Sequence, residues 1–125
     1  MHRFDPDEFL EVAEHLISRQ SEGSMRSAAS RAYYGVFILA RELAVIGDKG
    51  SEVHLRTRHH YEQAGERLIA EGLEYLRRRR NIADYLTERI FSQQDSRDVL
   101  KRSRHVRAAL RIFAGRRKHA HAAGG

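Results

Sequence analysis

The chain has 125 residues, one proline, no cysteine and a formal net charge of +6. This length allows one domain with a single hydrophobic core, and the missing cysteines exclude disulfide bonds, a thiolate nucleophile and a cysteine-ligated zinc site. The scarcity of proline and the absence of any run of alternating β-branched residues predict an all-α fold, and the longest apolar run, residues 32–40, is too short to span a membrane.

The first half of the chain contains two helical patterns. Asp5, followed by proline, predicts a helix start, and apolar residues at helical spacing follow it. After a loop, Ser24 predicts the cap of a second helix over about residues 25–46. The apolar stripe of this second helix predicts the most buried helix of the fold, and Gly35 is small enough to allow another helix to approach closely.

The second half contains three further helical patterns. A glycine-bounded turn over residues 47–51 is followed by a helix that begins near His59. Gly72 predicts a break before a fourth, central helix. A capping pattern at Asp95 begins the last helix, and Gly115 predicts its end.

These patterns predict one helical domain over residues 1–115, followed by a basic, disordered tail over residues 116–125. The first residues have no apolar signal-peptide core, which predicts that the protein stays in the cytoplasm.

The charge is unevenly distributed along the chain. Residues 1–50 have a balance of −2, and residues 51–125 have a balance of +8. This asymmetry favours a polyanionic partner, nucleic acid above all. Basic residues kept for solubility, or for pairing with an acidic protein, would produce the same pattern.

Four consecutive arginines mark the central helix. At about 100° per residue, Arg80 lies at the edge of the apolar face, and Asp84 lies one turn later, where a carboxylate can meet the guanidinium. Two interpretations stay open: a functional group of Arg80, Asn81 and Asp84, or an arginine-rich solvated face with one snorkelling side chain. For Arg78 the solvated interpretation is favoured. Arg79 has no predicted role beyond snorkelling.

The histidines do not predict a metal site. His54 and His60 are not three or four residues apart, and no His-Glu-x-x-His pattern exists. A single histidine can still contact phosphate or act as a general acid or base. The sequence also lacks a glycine-rich phosphate loop, and we expect no cofactor.

Residues 30–37 read Ser-Arg-Ala-Tyr-Tyr-Gly-Val-Phe, and residues 80–85 read Arg-Asn-Ile-Ala-Asp-Tyr. In this order, the two segments resemble the second helix and the Arg-x-x-Ala-Asp-Tyr signature of the HEPN family, especially its short stand-alone bacterial and archaeal members. His54 lies where many of these members place a histidine. The resemblance spans about residues 5–113. It implies an up-and-down bundle of four to five helices that forms a symmetric dimer, with the two central helices brought together.

The resemblance also implies a site. In nuclease members of the family, an arginine, a polar residue, three further residues and a histidine form a metal-independent ribonuclease site across the dimer. Tyr85 occupies the histidine position here, and tyrosine is a poor general base at neutral pH. Asp84 would either replace it as the base or only hold Arg80. The expected catalytic residues are Arg80, Asn81, Asp84 and Tyr85, and the expected RNA phosphate contacts are Arg31, Arg77 and His54.

Two functions follow as expectations. The first is an RNA-directed module of a toxin–antitoxin or defence system that binds RNA phosphate and has weak or atypical metal-independent endoribonuclease activity. The second is a non-catalytic dimerisation or binding module for a nucleotide or a partner protein, such as a nucleotidyltransferase-type antitoxin. Both expect a homodimer, and neither involves a membrane.

Overall fold

The computed structural model of the protein describes residues 2–47 and 50–124, with the backbone alone for residues 120–124. The turn predicted over residues 47–51 therefore lies partly outside the described residues. All regular structure within the described residues is helical, which confirms the all-α prediction. None of the described helices combines the length and the apolar character needed to cross a membrane. The helices are α1 (Asp7–Ile17), α2 (Glu22–Leu43), α3 (Val53–Gln63), α4 (Arg67–Tyr85) and α5 (Gln93–Gly124).

The helices form a bundle with α2 at its centre, because α2 contacts each of the other four helices. α2 also has more buried residues than any other described helix, as its apolar stripe predicts. The close approach predicted at Gly35 is made by α1. A Cβ atom built on Gly35 would lie 3.1 Å from the carbonyl oxygen of Pro6 and 3.2 Å from Cγ of Leu10.

Two helix starts differ from the predicted ones. α2 is capped by Ser21 and not by Ser24, because Oγ of Ser21 accepts a hydrogen bond from the backbone N–H of Ser24 at 3.1 Å. α3 begins at Val53 and not near His59. Only one residue in each turn of α3 is fully buried, so the apolar periodicity that marks a helix in the sequence is weak here. These core residues are Val53, Thr57 and Tyr61.

The predicted break at Gly72 was wrong, since Gly65 separates α3 from α4. Gly65 has a φ of 77°, in the left-handed region that favours glycine. Gly72 lies inside α4, where an added Cβ atom would overlap Cγ2 of Val106 on α5. This glycine therefore allows α4 and α5 to pack closely and does not end a helix.

The predicted helix end at Gly115 was also wrong, because α5 continues to Gly124. Arg116, the residue after this glycine, forms an ion pair with Glu66 at 3.0 Å, and this contact favours a continued helix over a turn. The disorder predicted for residues 116–125 stays a prediction, and the last of these residues lies outside the described part of the chain.

Candidate phosphate-binding site

Three side chains hold the guanidinium group of Arg80 on α4. Nε lies 3.0 Å from Oδ2 of Asp84, Nη1 donates to Oδ1 of Asn81 at 3.0 Å, and Nη2 donates to the hydroxyl of Tyr34. The side chains of Arg80 and Asp84 are only 15% and 24% exposed. The pair that the helical spacing predicts therefore forms within one chain and is half-buried.

Asp84 connects α4 to α2 as well as holding Arg80. The hydroxyl of Ser30 on α2 donates to Oδ2 of Asp84 at 3.4 Å, and Oδ2 is also the atom that meets Arg80. Of the two roles predicted for Asp84, these contacts favour the positioning of Arg80 over the acceptance of a substrate proton.

Two tyrosines of α2 form an aromatic wall at the site, beyond the packing role that the sequence predicts for them. Cζ of Arg80 lies 5.0 Å from the ring centroid of Tyr34 and 6.0 Å from that of Tyr33. Arg31, one turn before Tyr34, also contacts this ring, at 5.4 Å. Such distances are typical of cation–π contacts. The spacing of three residues between Arg31 and Tyr34 is the sequence signal for this arrangement.

His54 lies against Tyr33, on α3. Its Nδ1 shares a hydrogen bond with the hydroxyl of Tyr33, and its ring stacks on Phe37 with 4.2 Å between the centroids. Burial lowers the pKa of His54 to about 4, and the positive charges of Arg77 and Arg80 act in the same direction. At pH 7 the imidazole is therefore neutral and only weakly basic.

Arg31 and Arg77 are the two cations of the site that have no acidic partner among the described residues. Nε of Arg77 is buried and makes no hydrogen bond, as in Arg79 and Arg80, but those two arginines have ion pairs and Arg77 has none within the described residues. Arg31 lies instead over the rings of Phe9 and Tyr34. Because a half-buried guanidinium without a partner is costly, these two groups are the best placed to receive an anion.

The other two arginines of the run, Arg78 and Arg79, contact acidic side chains of the protein itself. Arg78 is 69% exposed and lies 3.7 Å from Glu74, as the solvated-face interpretation predicts. Arg79 donates to Asp95 of α5 at 3.1 Å. The sequence gives no sign of this role for Arg79, because its partner comes from a different helix.

Tyr85 is the last residue of α4 and is 67% exposed. Its ring centroid lies 5.8 Å from Cζ of Arg80, so the four residues expected to be catalytic do lie together. Two apolar neighbours, Leu86 and Ile90, are also exposed, Ile90 by 83%. Tyr85 thus borders the site, and Leu86 and Ile90 follow it along the chain.

Arg26, which the sequence patterns do not single out, holds the end of α4 in place. Its guanidinium donates to the carbonyl oxygens of Ala83 at 2.9 Å and Leu86 at 3.3 Å. Carbonyl groups in the last turn of a helix have no hydrogen-bond donor within the helix. Arg26 on α2 provides the missing donors. The end of α4 that carries Asp84 is therefore fixed against α2.

Comparisons of the chain with models of known protein families, with curated proteins and with solved structures found no match. Within residues 2–47 and 50–119, no three histidine or acidic side chains are placed to hold a metal ion.

Proposed function

We propose that this protein is an RNA-directed module that binds an RNA phosphate at Arg31 and Arg77, beside the Arg80–Asp84 pair. The observation that carries the proposal is that these two guanidinium groups flank the tyrosine wall without an acidic partner among the described residues. A phosphate would supply the negative charge that the guanidinium groups of Arg31 and Arg77 lack. The rings of Tyr34 and Tyr85 would offer surfaces for unpaired bases.

Two further observations support RNA as the ligand. Residues 51–125, which include Arg77, have a charge balance of +8, as expected for a surface that neutralises phosphates. The resemblance of residues 30–37 and 80–85 to the HEPN family supports RNA as the polyanion and a place in a toxin–antitoxin or defence system.

The contacts at the site support binding more than cleavage. Cleavage of RNA requires a group that removes the proton of the 2′-hydroxyl. Asp84 is engaged by Arg80 and Ser30, and His54 is weakly basic because its pKa is lowered to about 4. Any metal-independent cleavage is therefore expected to be slow.

The test is the binding of a mixed RNA pool by the purified protein in a chelator. Joint replacement of Arg31→Gln and Arg77→Gln is expected to weaken binding about tenfold and to reduce the slope of log K against log salt by about 1 to 2. The matched control replaces Arg67→Gln and Arg78→Gln, which are 86% and 69% exposed and pair with glutamates on the same helix. This control should bind RNA nearly as the wild type does.

A double variant at Arg31 and Arg77 that keeps wild-type affinity would contradict the proposal. Cleavage is followed in the same samples, with Arg80→Ala and Tyr85→Phe alongside. Metal-free cleavage that is lost in Arg80→Ala would identify a ribonuclease, and its loss in Tyr85→Phe would assign a part of the chemistry to the tyrosine hydroxyl.

The second candidate function is that of a non-catalytic assembly module. The exposed side chains of Tyr85, Leu86 and Ile90 at the end of α4 favour it, because adjacent exposed apolar residues are typical of interaction surfaces. Their occupant would be a second copy of the chain in a homodimer, and the resemblance adds a nucleotidyltransferase-type antitoxin as a partner.

A further inference from the structure

One face of α5 carries basic residues that the candidate site does not use. Arg97, Lys101, Arg111 and Lys118 are all exposed. They lie within about 100° of one another around the helix axis and extend over about 31 Å along it. No hydrogen bond or ion pair engages their side chains within the described part of the chain. We call these four residues the α5 basic row.

Two other basic residues, Arg104 within the same angular range and Arg107 beside it, are in contrast neutralised by α1. Arg104 pairs with Glu14 at 2.6 Å, and Arg107 pairs with Asp7 at 2.7 Å. Arg111 is close enough to Asp7 to help lower the pKa of that carboxyl, although Arg107 is the stronger cause. Asp7 and Glu14 of α1 therefore offset Arg107 and Arg104, and the four residues of the α5 basic row have no ion pair within the described part of the chain.

The surface around the row fits a phosphate backbone better than it fits unpaired bases. Ala108 and Gly115 lie between the cations and leave room for close approach. The only phenylalanine, tyrosine or tryptophan of α5 is Phe113, which is half-buried and packs on Tyr61. Binding of single strands relies on exposed aromatic side chains, whereas duplex RNA is bound through its phosphates and its shape.

The start of α5 is joined to the helix that carries the candidate site. Asp95, two residues before Arg97, accepts a hydrogen bond from Arg79, the neighbour of Arg80. The row and the site therefore belong to two helices that are in contact at this point.

We propose that the α5 basic row binds the duplex part of a structured RNA, while the candidate site binds an adjoining single-stranded part. This inference rests on the proposed function, because it names the class of RNA that the same protein would bind. The RNA is a stem with an unpaired extension, and the row contacts the stem through its phosphates without reading its sequence.

The test compares two RNA probes of equal length, a hairpin with an unpaired tail and an unstructured single strand, between about 50 and 200 mM salt. The first variant joins Arg97→Gln, Lys101→Gln and Arg111→Gln. The control variant joins Arg3→Gln, Arg19→Gln and Arg67→Gln, which are exposed positions outside both surfaces. Both variants lower the net charge from +6 by the same three units. Glutamine keeps the helix propensity of α5, and circular dichroism verifies the fold of each variant.

The α5 variant is expected to bind the hairpin about tenfold more weakly than the control variant does, with a salt slope lower by about 2 to 3. Both variants should bind the single strand within about twofold of each other. Equal hairpin affinity of the two variants, or an equal loss for both probes in the α5 variant, would overturn the inference while leaving the proposed function standing. A wild-type protein that binds neither probe would overturn both.

Discussion

Arg77 and Arg80 lie one turn apart on α4, yet their guanidinium groups have opposite surroundings. Arg80 forms an ion pair with Asp84 and donates hydrogen bonds to Asn81 and Tyr34 before any ligand arrives. Arg77 has neither an ion pair nor a hydrogen bond within the described residues. A charged group in such a position is costly unless a ligand completes it. At the residue scale, Arg77 is therefore the stronger candidate for ligand contact, and Arg80 is the residue that orders the site.

The shifted pKa of His54 predicts how stability depends on pH. The pKa is lowered from 6.5 to about 4 in the folded protein, so the unfolded chain binds more protons between these values. The free energy of unfolding should therefore fall as the pH decreases from about 6.5 to about 4, and this contribution should level off below that. The fall due to His54 is expected to be about 1 to 2 kcal/mol, since solvent reaches the ring and screens its charge.

Urea unfolding at a series of pH values measures this effect. His54→Gln should flatten the profile in this window, whereas His59→Gln, which changes a side chain that is 62% exposed, should leave it as in the wild type. His60, whose pKa is also lowered, accounts for a residual slope. A profile in His54→Gln that is as steep as in the wild type would disprove the assignment.

At the scale of elements, α4 is fixed to its neighbours at three levels. Gly72 packs against Val106 of α5 near the start of the helix, and Arg79 pairs with α5 further along. At the last turn, the guanidinium of Arg26 reaches from α2 to the carbonyl oxygens of α4. The candidate site is thus carried by a helix whose position is determined along its whole length, which favours a preformed site.

Gly72→Ala is expected to lower the free energy of unfolding by up to about 2 kcal/mol. Alanine is the better helix former by about 1 kcal/mol, but its methyl group would overlap Val106, and overpacking of this kind costs about 1 to 3 kcal/mol. Urea unfolding gives the value. Gly115→Ala is the matched control, because no neighbouring atom lies within 4 Å of its added Cβ. It should stabilise the protein by about 0.5 to 1 kcal/mol.

The double variant Gly72→Ala with Val106→Ala shows whether overlap with Val106 causes the loss of stability in Gly72→Ala. The smaller side chain at position 106 removes the atom that the new methyl group would meet, so the double variant should be more stable than the sum of the two single effects. Additive effects would show that α4 and α5 are not in tight contact at this point.

At the scale of the whole molecule, ion pairs neutralise much of the positive charge that the sequence contains. Most arginines of α4 pair with acidic residues, as do Arg104 and Arg107 of α5. Cations without an acidic partner in the described part of the chain are found at Arg31 and Arg77, along the α5 basic row, and singly elsewhere, as at Arg3, Arg19 and Arg41. The candidate site and the row are where such cations lie together, whereas the sequence alone suggests an evenly basic half.

The exposed apolar group at the end of α4 leads to a prediction about the oligomeric state. If it forms the interface of the proposed homodimer, the wild type should have twice the chain mass of 14.5 kDa by size-exclusion chromatography with light scattering. Ile90→Glu would place a charge in this interface and should yield the monomer. Ile112→Glu, on α5, replaces another isoleucine that is 60% exposed and should leave the dimer intact. A wild type that is monomeric at all concentrations would reject the homodimer.

The sequence by itself determined what depends on neighbours along the chain. The scarcity of proline and the absence of alternating β-branched residues predicted the all-α class, the apolar stripe of α2 predicted the most buried helix, and the spacing of four residues predicted the Arg80–Asp84 pair. The position of Arg78, opposite the apolar stripe and one turn after Glu74, predicted that its side chain is solvated. These features follow from local geometry, which repeats every turn of a helix.

Only the tertiary structure decided the features that join distant segments. A glycine signals a helix end or a close contact equally well, so Gly72 was misread as a break until α5 was seen packed against it. The partner of Arg79 is 16 residues away, and that of Arg26 is more than 50 residues away. The spacing of residues along the chain does not predict such contacts, because they depend on how the helices pack. For the same reason, the packing of the helices decided which arginines are neutralised and which remain for a ligand.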